Sequence, residues 1–132
     1  MVKRFIHAFV VVISRFAAKL LPDRIPVTFV GAGSVTDLAR SIQQQGVTKV
    51  LVVTDSVLNE LGIVGQVTTS LSAAGIEAVV YDGVRPDPTF AQVKAGHARY
   101  MAAGCQGVLA LGGGSPIDAS KIIAAMATNG GN

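Results

Sequence analysis

The chain has 132 residues, half of them hydrophobic and 14% charged, with one cysteine and no tryptophan. That length suits one domain of about 100–150 residues or a piece of a larger protein, and the apolar share argues for a buried α/β sheet against a disordered chain. The net charge of +3, from 11 basic and 8 acidic residues, is too diffuse for a nucleic-acid face.

The first predicted element is an amphipathic helix. Phe5, Phe9, Val12, Ile13, Phe16 and Leu20 share one face, Lys3, Arg4, His7, Ser14, Arg15 and Lys19 the other, and Pro22 ends it. The apolar run is too short for a spanning helix of about 20 residues. The expectation is a helix docked on its own domain or a partner subunit. A membrane-surface contact through residues 3–21, or an export signal, stays open beside it.

Strands and helices then alternate. Val27 to Val30 is expected as a short strand leading to Gly31-Ala32-Gly33-Ser34, and Val35, Leu38, Ala39 and Ile42 recur at helical spacing until Gly46. This glycine pair opens like a dinucleotide fingerprint, but Thr36 stands where a third glycine belongs. A tight turn capped by Ser34 is the preferred explanation. Lys49 to Thr54 is a strand whose continuous apolar run marks burial on both faces. Asp55 follows directly. It could accept hydrogen bonds from a ribose diol and repel a 2′-phosphate, favouring NAD over NADP, or it could cap the next helix.

Val57, Leu61, Val64, Val67 and Leu71 form one further helical stripe, closed by Gly75, and Glu77 to Tyr81 is a strand. Two prolines forbid regular structure in Asp82 to Pro88. Thr89 with Gln92 has the form of a capping box opening a helix up to Gly104. Cys105, the lone cysteine, excludes an internal disulfide, has no evident base and is expected to be a small buried residue in a reducing, cytoplasmic setting. His7 and His97 sit on separate predicted helices and make no metal pair.

The last strand, Gly107 to Leu111, runs into Gly112-Gly113-Gly114-Ser115-Pro116-Ile117-Asp118. Three glycines let the backbone approach a ligand, Ser115 and Pro116 are expected as N-cap and first helical residue, and the positive helix end suits a pyrophosphate. Asp118 could return a bond to the cap or reach the ligand. Strands separated by helices imply a parallel sheet with right-handed crossovers, in which Gly31, Asp55, Asp82 and Gly112 all fall at the carboxyl ends where ligands bind.

Phe29 to Ser34, Val53-Thr54-Asp55, Tyr81 to Thr89 and Gly112 to Lys121, in that order, resemble the amino-terminal half of iron-containing (group III) alcohol dehydrogenases. The resemblance covers roughly residues 25 to 128. It implies a Rossmann-like domain over residues 25–132, with helices on both faces of its sheet, that binds NAD(P), NADP being disfavoured by the charge of Asp55: Gly113, Gly114 and Ser115 on the pyrophosphate, Asp118 near the nicotinamide side and Asp55 on the adenosine ribose. Family members often carry Asn, bordering the cofactor, where Asp87 stands. The family's carboxyl-terminal helical domain supplies the ligands of an iron or zinc ion, and no such histidine cluster occurs here. The chain is therefore expected to be the cofactor half of an alcohol or aldehyde oxidoreductase, inactive alone and part of a homo-oligomer. A glycerol dehydrogenase or maleylacetate reductase relative is the enzyme alternative. A stand-alone nucleotide-binding or assembly module, with residues 1–24 as its docking helix, is the non-enzyme one.

Overall fold

The computed structural model of the chain describes residues 28–130. The amphipathic helix expected over residues 3–21 lies outside them. The strand expected from Val27 to Val30 does not form over residues 28–30. Gly31 (φ 107) and Gly33 (φ 83) turn the backbone there instead, and the Ser34 N–H donates to the Gly31 carbonyl at 3.2 Å. Gly33 also opens the first helix, α1 (Ser34–Gln44), with no side-chain cap. Ser34, expected to be that cap, is already helical, because the left-handed glycine starts the helix one residue earlier.

Three strands follow: β1 (Lys49–Val53), β2 (Glu77–Tyr81) and β3 (Gly107–Ala110). All are parallel in the order β2-β1-β3, with Leu51 opposite Val79 on one side and Val108 on the other. β1 is the centre. Its residues Val50 to Val53 are buried, as the unbroken apolar run requires of a strand covered twice.

The two faces are separated by the period of two. Leu51 and Val53 pack with Val84, Val93, Cys105, Ala119 and Ile123, whereas Val50 and Val52 pack with Ala39, Val67, Leu71 and Ile76. Helices α4 (Phe90–Ala103) and α5 (Gly114–Thr128) thus cover one face, and α1 with α3 (Ile63–Ala73) the other. This is the Rossmann-like arrangement expected.

The stripe from Val57 to Leu71 is not one helix. It divides into α2 (Ser56–Glu60) and α3, because Gly62 adopts φ 74 between them. The division decides which residues are core: Val64, Val67 and Leu71 are buried, but Val57 and Leu61 are 61% and 65% exposed.

At α4 the Thr89 hydroxyl accepts from the Gln92 N–H at 3.4 Å. The reciprocal half of the capping box is missing, since Gln92 Oε1 instead accepts from the Arg85 N–H at 3.3 Å. Gly104, at φ 65, ends the helix and delivers Cys105 into the core, where burial pushes its thiol pKa up.

Candidate functional site

The three parallel strands end on one edge, and the loops that leave them are stitched together through their backbones. The Thr54 N–H donates to the Tyr81 carbonyl at 2.9 Å, Leu111 N–H to the Val53 carbonyl at 2.9 Å, and Val84 N–H to the Thr54 carbonyl at 3.3 Å. An isolated antiparallel bridge joins Asp55 to Gly83, and Asn59 Nδ2 donates to Asp82 at 2.7 Å. These bonds hold a cleft of about 560 Å³ open between three segments: Asp55 to Leu58, Val84 to Pro86 and Gly112 to Pro116.

The three glycines of the last segment are not equivalent. Gly112 has φ 139, and a Cβ there would stand 2.8 Å from Pro116 Cγ, 3.3 Å from Leu58 Cδ1 and 3.4 Å from Asp55 Oδ2. Its lack of a side chain serves the packing of the chain itself. A Cβ on Gly113 or Gly114 would meet nothing within 4 Å, so the open side of the loop is free for another molecule.

The helix behind the loop begins earlier than Ser115 and Pro116 suggest. Extended Gly113 (φ −83, ψ −157) is the N-cap of α5, Gly114 is its first residue, and no side chain caps this end. Ser115 is therefore inside the first turn, with its hydroxyl in the wrong place to cap. The start of a helix leaves about four N–H groups without intrahelical partners. Here Pro116 has none to offer, so the orphan donors are the amides of Gly113, Gly114 and Ser115, the residues expected at a pyrophosphate.

Asp55 has extended backbone (φ −111, ψ 162), and its Oδ1 accepts from the Leu58 N–H at 3.0 Å, which makes it the N-cap of α2. It lines the cleft as well, so capping does not remove it from a ligand's reach. Asp87 and Asp118 are not brought to the cleft lining. Asp118 forms an exposed ion pair with Lys121 at 3.1 Å, rather than returning a bond to the helix start. Asp87 sits in the two-proline turn at φ 55, the left-handed region that Asn and Asp tolerate better than most side chains.

Val84, Arg85 and Leu58 line the cleft without having been singled out from the sequence. Val84 and Leu58 carry no chemical signal. Arg85 does, being the one cation in the turn after β2. Tyr81, at the end of β2, donates its hydroxyl to the Gln92 carbonyl at 2.7 Å, and burial, with the Asp82 carboxylate second, pushes its pKa up. Among the described residues no three His, Cys, Asp or Glu gather as a metal ion would require.

Comparison with known proteins agrees with the fold. The family model for iron-containing alcohol dehydrogenase matches residues 26–132. Lactaldehyde reductase of Escherichia coli K12 is 39% identical over 99 residues, which cover 75% of this chain and 26% of that protein. NAD-dependent methanol dehydrogenase of Bacillus methanolicus is 32% identical over 106 residues, 80% of this chain and 28% of that one. The solved structure of the alcohol dehydrogenase from Oenococcus oeni superposes with a TM-score of 0.75 at 30% identity, over 80% of this chain and 28% of that one. The chain thus spans about a quarter of the length of the curated relatives it matches. With the match running from residue 26 through the whole sheet and its glycine loop, the chain belongs to the iron-containing alcohol dehydrogenase family.

Proposed function

We propose that the cleft at the carboxyl ends of the strands binds the dinucleotide NAD. One observation carries this: the loop that starts α5 leaves three amides unclaimed, and its second and third glycines present open space where any side chain would project. Backbone donors and the positive helix end together favour a pyrophosphate at Gly113, Gly114 and Ser115. Asp55 Oδ1 is spent on the cap, and its carboxylate is available to a ribose diol. Asp87 and Asp118 are assigned to the borders of the cofactor on the family resemblance alone. Calorimetric titration tests the assignment: binding of NADH is expected, no binding of either NADH or NADPH overturns it, and equal binding of both overturns the role of Asp55.

In the complete protein the proposed activity is alcohol or aldehyde oxidoreduction, the nicotinamide supplying the hydride acceptor or donor. The described residues do not offer an iron or zinc ligand set, so the part proposed for them is to hold and orient the cofactor. A cytoplasmic setting is proposed on the single buried thiol, Cys105. Among the described residues no helix is long and apolar enough to cross a membrane. Ile117 and Ile122 on α5, 41% and 46% exposed, support a proposal of self-association.

A further inference from the structure

We propose that Arg85 is the cation that holds the pyrophosphate of the bound dinucleotide from the segment after β2. The inference rests on the cofactor assignment above. Of the residues lining the cleft, Asp55 and Arg85 are the only charged ones, and the remaining walls are glycine, proline, serine and aliphatic side chains. No ion pair joins the two, and among the described residues none engages Arg85 at all. The cation carried by α5 itself is different: Lys121 is occupied by Asp118 and lies outside the cleft lining.

The charge balance calls for such a group. A pyrophosphate brings two negative charges, whereas a helix start supplies the equivalent of about half a positive charge. An arginine can donate two parallel bonds to phosphate oxygens, and in a cleft with apolar walls those bonds are stronger than in open water. The backbone that carries Arg85 is held in place. Its N–H is fixed on Gln92 Oε1 at 3.3 Å in the first turn of α4, and Pro86 restricts the backbone immediately after it. Asp55 disfavours a 2′-phosphate in the same cleft, which directs Arg85 to the phosphates shared by both dinucleotides.

The test is titration of the full chain and its R85Q variant with NADH and NADPH, at low and high salt. Loss of about tenfold in NADH affinity is expected, with a similar factor for any NADPH binding, and the gap should narrow as salt screens the contact. R85K should retain part of the affinity. Unchanged NADH affinity in R85Q overturns the proposal while leaving the cofactor site standing. Loss confined to NADPH overturns it too, moving the arginine to the 2′-phosphate. Failure of the unmodified chain to bind NADH overturns the cofactor assignment and this inference with it. The urea midpoint of R85Q should match the parent's, because the side chain is exposed and unpaired.

Discussion

A Cβ added to Gly96 would stand 2.5 Å from Cδ1 of Ile123 and 3.0 Å from the Tyr81 ring. Gly96 is buried in the middle of α4, and its missing side chain is what lets α4 lie against α5 and the end of β2 at once. Gly96→Ala would ordinarily gain about 1 kcal/mol of helix propensity. Overpacking a tight contact costs about 1–3 kcal/mol. Net destabilisation of up to about 2 kcal/mol is expected from urea unfolding, and the I123V change should recover part of it. A Gly96→Ala variant as stable as the parent would show that the helices are free to separate.

Tyr81 gives a pH dependence with a definite sign. Burial and Asp82 raise its pKa above the ordinary value of 10.0, so the folded state keeps the proton longer than the unfolded state. Its contribution is fully present below about pH 10 and is lost as pH rises through the folded pKa. Tyr81→Phe should cost about 0.5–1.5 kcal/mol at neutral pH through the lost bond to the Gln92 carbonyl. It should also flatten the alkaline fall in stability. Denaturant midpoints measured from pH 7 to 11 check both; an undiminished alkaline slope in the phenylalanine variant assigns the titration elsewhere.

Adjacent glycines in the α5 loop should respond oppositely to alanine. At Gly112, φ 139 and the approach to Pro116 Cγ at 2.8 Å make the side chain a folding problem, costing about 1–3 kcal/mol. Gly113 has φ −83 and open space, so its alanine variant should unfold at nearly the parent's urea concentration. Its methyl group would occupy the place proposed for the pyrophosphate. NADH affinity should therefore drop in the Gly113→Ala chain by about tenfold or more. If that variant binds NADH as tightly as the parent, the ligand does not rest on the open side of the loop.

Much of this architecture was legible in the sequence, and the parts that were not share a cause. β1 and β2 announce themselves because apolar residues crowd into runs of four, and β1 must be covered on both faces to justify Val50 to Val53. The helix boundaries were misplaced where a glycine takes a positive or extended backbone conformation that letters do not encode. Gly33 and Gly113 each usurp a cap expected from a serine, and Gly62 breaks a stripe whose spacing alone looked continuous. In the site, Asp55 and the glycine loop stood out by their place after strands. Arg85 could be located only once the turn after β2 was folded against the other two segments.

Asp87 holds φ 55 between two prolines, a conformation that costs most L-residues about 1–2 kcal/mol and costs Asn and Asp less. Asp87→Asn should therefore be neutral or slightly stabilising, and Asp87→Ala should lose about 1 kcal/mol by thermal or urea unfolding. Equal stability of the alanine and asparagine variants would mean that the turn relaxes out of the left-handed region. The asparagine variant carries the side chain that the family resemblance puts at this place, so its NADH affinity, measured alongside, tests the proposal that Asp87 borders the cofactor.

Asp55 caps α2 and is proposed to face a ribose, two roles that substitution can separate. As N-cap of α2 it needs only a side-chain oxygen for the Leu58 N–H, which asparagine also has. In the proposed role beside a ribose it needs a negative charge to reject a 2′-phosphate. Asp55→Asn should keep the parent's urea midpoint while raising affinity for NADPH relative to NADH by about tenfold, since the repulsion is gone. Asp55→Ala removes both functions and should lose about 1 kcal/mol of stability besides. The pair of variants discriminates because the cap alone predicts a difference in stability between asparagine and alanine and none in cofactor preference. An asparagine variant that unfolds normally and still prefers NADH as strongly as the parent would leave Asp55 as a helix cap and nothing more.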